Sequence, residues 1–200
     1  MNQDLKKKVE ELIPNLAKVR RDLHKHPESG WTEFRTASMA IKKMQQLGYT
    51  ITMGEKAVCR EAMMGVPSAD ALKAHMERAI AQGADPELVA KMEGGMTGFW
   101  ADMDFGGEGP FLAVRFDMDC NDVTECADAD HRHDAQRLCV AGLHAGEEGR
   151  LATLLSAWLW QKLSPPCAIS SRARFALFSN LLKKAFAVPC RWKRPVQWPA

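Results

Sequence analysis

Past Glu148 the sequence contains no aspartate or glutamate. All 25 acidic residues fall in the first 148 positions, where 18 lysines and arginines accompany them, and the last 52 positions carry the other nine basic residues. The net charge of +2 therefore averages an acidic stretch of −7 and a basic one of +9. Other absences narrow the class. No apolar run reaches the roughly 18 residues that a membrane span needs. The opening Met-Asn-Gln-Asp-Leu-Lys-Lys-Lys has charge with no apolar core behind it, which argues against a secretory signal. Six cysteines (59, 120, 126, 139, 167, 190) include no Cys-x2-Cys pair, so a zinc ribbon is unsupported. Their loose spacing suits reduced thiols in the cytoplasm better than a disulfide framework.

What is present suffices for a folded domain: 200 residues, 46% of them hydrophobic. Leu5, Val9, Leu12, Ile13, Leu16, Val19 and Leu23 recur at helical spacing, which predicts an amphipathic helix over 2–25, with a kink or break near Asn15 after Pro14. Phe34, Ala37, Ala40, Ile41, Met44 and Leu47 predict a second helix over 33–47, capped by Thr32 and stopped by Gly48. Residues 49–53 read as a short strand. A further helical region spans 67–92, opening at Pro67-Ser68-Ala69-Asp70 and resuming after Asp85-Pro86, where Asp caps and Pro occupies the first turn. Residues 97–103 and 110–117 read as strands, the second apolar enough for the interior of a layered sheet. Helix, strand, turn and strand together predict an α/β fold. Residues 151–163 read as a helix closed by Pro165-Pro166, and 171–200 show no clean period.

Several residues are chemically suggestive. Asp117 and Asp119 end the most apolar strand, and an extended backbone at that spacing points both carboxylates the same way. Open α/β sheets place ligands at that edge, where two acids can hold a divalent metal or orient its histidine ligands. A plain strand-ending turn explains the pair equally well. His24 and His26 suit a helix end, where the dipole favours them, better than a ligand set. His131, His133 and Asp134 near Cys126 and Cys139 have a zinc-compatible composition without a fixed motif. His144 with Glu147 and Glu148 is another candidate; His144 and Glu148, four apart, share one helix face. A third ligand is missing from that motif.

Three segments in order carry a resemblance to a known family: Arg20-Arg21-Asp22-Leu23-His24-Lys25-His26-Pro27-Glu28-Ser29-Gly30-Trp31-Thr32-Glu33-Phe34-Arg35-Thr36, then Glu93-Gly94-Gly95-Met96-Thr97-Gly98, then Val114-Arg115-Phe116-Asp117-Met118-Asp119. Over about residues 5–130 the chain resembles the M20 metallopeptidases and amidohydrolases, within them the branch that cleaves p-aminobenzoyl-glutamate in folate breakdown. The helical insert over 59–92 also resembles that branch. The resemblance implies an α/β/α zinc-exopeptidase-like catalytic layer with a lid domain inserted later. It implies two divalent metals (Zn or Mn) that polarise an amide carbonyl and acidify a bound water while a glutamate takes its proton. The implied substrate is p-aminobenzoyl-glutamate or a related N-acyl amino acid, and the implied partners are a B subunit or a second copy, with no role for nucleic acid or membrane.

The later sequence departs from the family. Leu143-His144-Ala145-Gly146-Glu147-Glu148-Gly149-Arg150 stands where the family has Met-His-Ala-Cys-Gly-His-Asp-Gly-His. His144 matches the opening histidine, the ligand cysteine has no counterpart, and with one residue skipped Glu147 and Arg150 replace two of the histidines. Phe178-Ser179-Asn180-Leu181-Leu182-Lys183-Lys184-Ala185 can be encoded so that its third-base frame reads Phe-Gln-Pro-Ala-Glu-Glu-Gly, a second family motif. The resulting expectation is a partial catalytic domain over 1–130, followed by a divergent or out-of-frame basic tail over 131–200, and a chain inactive as an amidohydrolase. The weighed metal-ligand candidates are His144 and Glu147, with Asp117 and Asp119 in support. The alternative is a non-enzymatic interaction or remnant domain whose basic tail attracts acidic partners without specificity.

Overall fold

The computed structural model describes residues 3–104, 109–120 and 171–177. Helix α1 (Gln3–Lys25) runs without interruption through Pro14, so the predicted break is not there. Proline removes one backbone donor and crowds the preceding turn, yet the helix continues past it. Helix α2 (Phe34–Gln46) lies in the predicted place but lacks the predicted Thr32 cap; Glu33 precedes its first residue and gives no side-chain cap. Helix α3 (Ala69–Ala81) is capped by Ser68, whose hydroxyl accepts from Ala71 N–H at 3.3 Å. Helix α4 (Pro86–Ala90) is capped by Asp85, which accepts from Glu87 N–H at 3.0 Å, as the Asp-Pro pair predicts.

Among the described residues the sheet has four strands, β1 (Thr50–Met53), β2 (Phe99–Asp104), β3 (Gly109–Phe116) and β4 (Ser171–Leu177), in the order β1-β2-β4-β3. Strand β2 is antiparallel to both β1 and β4, while β3 and β4 run parallel. The fold is α/β. Strand β4 comes from the stretch in which no period was evident, and it sits between β2 and β3. Its Ser-Arg-Ala-Arg-Phe-Ala-Leu does alternate at first, but seven residues among prolines and basic residues give that signal little contrast. Among the described residues β3 has β4 as its only sheet neighbour, so the expected two-sided interior position is not seen.

Strand periodicity splits the core between two faces. Phe99 and Ala101 of β2 join Phe34, Ile41, Met44, Leu72, Val89 and Met92 beneath α2, α3 and α4. Trp100, between them, points the other way and packs with Trp31, Ala57, Val58 and Met96. Registers Met53 with Phe99, Phe99 with Leu177, and Phe116 with Leu177 align one edge of the sheet. That edge gathers the carboxyl ends of β1, β3 and β4 and the start of β2.

Candidate functional site

Three stretches distant in sequence meet at this edge. The first is the turn 27–33 between α1 and α2. Glu28 is buried, and its carboxylate takes the place that Thr32 was expected to fill: Oε1 accepts from Arg35 N–H at 2.9 Å and Oε2 from Thr36 N–H at 2.7 Å. Two otherwise orphaned donors of the first turn of α2 are thereby satisfied. Burial pushes the Glu28 carboxyl up to about 7, against the lowering effect of those two amide donors. Sequence reasoning missed Glu28, because a cap that lies six residues outside its helix leaves no local capping pattern.

The second stretch is 93–98. Glu33 is fully buried and accepts from Thr97 Oγ1 at 2.7 Å. Gly95 adopts a φ of 81°, and a Cβ there would meet the Trp31 carbonyl at 3.1 Å and the Trp31 Cβ at 3.2 Å. Only glycine meets both demands without strain. Trp31 itself holds a left-handed φ of 72°, rare for a non-glycine residue. Its ring is buried and its Nε1–H donates to the Met64 carbonyl at 2.9 Å.

The third stretch follows β3. Strand pairing ends at Phe116, so Asp117 and Asp119 lie just beyond it. Met118 packs into the main core, and the acids flank it, Asp117 half-buried and Asp119 buried. Cys120 N–H donates to the Glu28 carbonyl at 3.0 Å, and Glu28 N–H donates to Cys120 Sγ at 3.1 Å. Asp119 is therefore held next to the same turn that Glu28 organises.

Behind this edge Arg35 ties three helices together. Its guanidinium donates to both oxygens of Asp22 at 3.0 and 2.8 Å and to the Gln82 carbonyl at 3.0 Å. His26 Nδ1 lies 2.8 Å from the Asp22 carbonyl, one turn back at the end of α1. The His24 side chain, the group around Cys126, His131, His133, Asp134 and Cys139, and the candidates His144, Glu147 and Glu148 lie outside the described residues.

Among the described residues no three histidine, cysteine, aspartate or glutamate side chains are grouped so as to hold a metal ion. No described helix is long and apolar enough to cross a membrane.

No family model matches the sequence, but individual proteins do. The chain is 42% identical over 154 residues to the A subunit of p-aminobenzoyl-glutamate hydrolase from Escherichia coli, covering 75% of this chain and 35% of that protein. It is 44% identical over 124 residues to indole-3-acetyl-aspartic acid hydrolase of Enterobacter agglomerans, covering 62% of this chain and 28% of that protein. The solved structure of an aminobenzoyl-glutamate utilization protein from Klebsiella pneumoniae superposes with a TM-score of 0.67 at 29% identity, over 86% of this chain and 38% of that one. The chain thus spans about a third of the length of these relatives. At this identity and coverage the chain belongs to the family that contains the A subunit of p-aminobenzoyl-glutamate hydrolase.

Proposed function

We propose that this chain carries the amino-terminal part of an amidohydrolase that acts on p-aminobenzoyl-glutamate or a related N-acyl amino acid. The observation that carries the reading is the convergence at the carboxyl edge of β3, where Cys120 pairs with Glu28, Thr97 with Glu33 and Gly95 with Trp31. In open α/β sheets that edge is where ligands bind. Two relatives bear names for the cleavage of an aromatic acyl group from an acidic amino acid. In this reading Asp119 and Asp117 support the binding side of the site, with Asp119 fixed through the Glu28–Cys120 pair. Any divalent zinc or manganese would need ligands from outside the described stretches, His144 and Glu147 being the candidates in this sequence. The stretch Leu143-His144-Ala145-Gly146-Glu147-Glu148-Gly149-Arg150 offers one histidine and no cysteine, fewer donors than two metals need, so in this reading the chain does not turn substrate over. The proposed partner is a B subunit, since two relatives are named as A subunits.

The test uses the purified chain. Release of p-aminobenzoate from p-aminobenzoyl-glutamate is followed with and without added zinc or manganese, and bound metal is counted by elemental analysis. Less than about one metal per chain and no release are expected. Two tightly bound metals with release would overturn the inactivity, and release of an acid from another N-acyl amino acid would overturn both the inactivity and the substrate assignment.

A further inference from the structure

The charged residues of the sheet stand on one face. Along β2, Phe99 and Ala101 are buried in the main core and Met103 packs against it, so Trp100, Asp102 and Asp104 belong to the other face. Strand β1 divides the same way: Ile51 and Met53 pack against the main core, and Thr50 and Thr52 alternate with them. Register carries the division into β4. Phe99, Ala101 and Met103 align with Leu177, Phe175 and Ala173, whereas Trp100, Asp102 and Asp104 align with Ala176, Arg174 and Arg172. Arg115 of β3 aligns with Ala176 and shares the charged face. Each aspartate of β2 is therefore directly opposite an arginine of β4.

Among the described strands β2 alone carries acids. The last 52 residues hold nine basic and no acidic side chains, so the arginines of β4 have no acid to meet within their own stretch. Opposite charges directly across an antiparallel pair attract, and like charges there repel. The observed register is also the one alignment that matches both pairs. A slip of one residue would turn Arg172 and Arg174 toward the core face. A slip of two would keep the faces but leave one aspartate opposite Ala176 or Ser170. Asp102 is half-buried and Asp104 exposed, so each pair adds little to overall stability and acts chiefly on alignment.

We propose that Asp102 and Asp104 are positioning residues: paired with Arg174 and Arg172 they admit β4 in one register, and through β4 they hold β3 and the stretch 117–120 at the candidate edge. Among the described residues β4 is the only sheet neighbour of β3, so β3 takes its place along the sheet from β4. Strand β3 leads directly into Asp117, Asp119 and Cys120, and Cys120 N–H donates to the Glu28 carbonyl at 3.0 Å. A slip of two residues would shift β4 by about 7 Å along β2. With β3 carried along, Cys120 would leave Glu28, and Asp119 would leave the turn 27–33. This role is independent of which amide, if any, the chain cleaves.

Amide hydrogen exchange, read peptide by peptide on the full chain, separates alignment from general stability. Asp102→Arg combined with Asp104→Arg puts like charges across the β2–β4 pair. Exchange is expected to quicken about tenfold in 171–177 and in the peptide that contains Cys120. Helix amides such as Val89 N–H, bonded to the Asp85 carbonyl, should keep their protection. Adding Arg172→Asp and Arg174→Asp restores opposite charges in the reverse sense and should restore protection in both segments. Asp102→Asn with Asp104→Asn removes the attraction without repulsion, and about a threefold rise is expected. That milder pair decides the matter by the same readout if the reversed variant does not fold. Unchanged exchange in 171–177, an equal rise in the helices, or a charge swap that restores nothing would each overturn the inference.

Discussion

Replacing Glu28 by glutamine should stabilise the protein relative to wild type at pH 8, and by much less at pH 5, near the bottom of the window in which this group titrates. The buried carboxyl has its proton affinity raised from the ordinary 4.5 to about 7, chiefly because burial penalises the charge. The folded state then holds this proton more tightly than the unfolded chain does. Between pH 4.5 and 7 folding takes up a proton at this group, so stability declines as pH rises through that window and stays low above it. A gap of about two and a half pH units corresponds to roughly 3 kcal/mol when the group has fully ionised. Glutamine has the shape of the protonated acid and cannot ionise, so it keeps the low-pH stability at high pH.

The opposing force is visible in the structure. Two amide donors at 2.9 and 2.7 Å favour the ionised carboxylate, and glutamine can accept from only one of them with its single oxygen. If those donors outweighed burial, Glu28→Gln would instead cost about 1–3 kcal/mol at pH 8. Urea unfolding followed by tryptophan fluorescence at pH 5, 6, 7 and 8 separates the two cases. Other titrating groups are common to both proteins, so the difference between wild type and variant isolates Glu28. A variant less stable than wild type at pH 8, with the difference shrinking toward pH 5, would refute the argument that burial dominates.

Two further outcomes follow from packing. Arg35→Ala should destabilise the protein by about 3 kcal/mol in the same unfolding assay, because it strips Asp22 and the Gln82 carbonyl of a shared, mostly buried donor; a loss below about 0.5 kcal/mol would mean that the clamp contributes no more than a surface pair. Gly95→Ala should cost about 1–3 kcal/mol through its φ of 81° and the 3.1 Å approach to the Trp31 carbonyl, read as a lowered urea midpoint, and an unchanged midpoint would show that the turn relaxes freely.

Much of the fold was legible because its signals are local. Apolar spacing placed α1 and α2, Ser68 and Asp85 marked the starts of α3 and α4, and unbroken hydrophobicity marked β3. The misses have a common physical origin. The cap of α2 comes from Glu28, outside the helix, so the Thr32 assignment followed a local rule that a longer-range contact overrode. The predicted break at Pro14 is absent because a single lost hydrogen bond does not outweigh a continuous helix. Strand β4 is a seven-residue segment whose pairing partners are far away in sequence, and strand propensity depends more on such partners than on the segment itself.

The sequence by itself determined the α/β class, the helix starts, the uneven charge and the resemblance carried by three short segments. Tertiary structure alone decided that these segments share one edge, because strand order and register, set by pairings between distant residues, bring Phe99, Phe116 and Leu177 into line. It also decided which acids are buried. Glu28 and Glu33 look like surface residues in a polar turn, and only closure of that turn onto 93–98 and Cys120 removes them from water. Periodicity is written along one chain, whereas desolvation is a property of the neighbours that folding brings in.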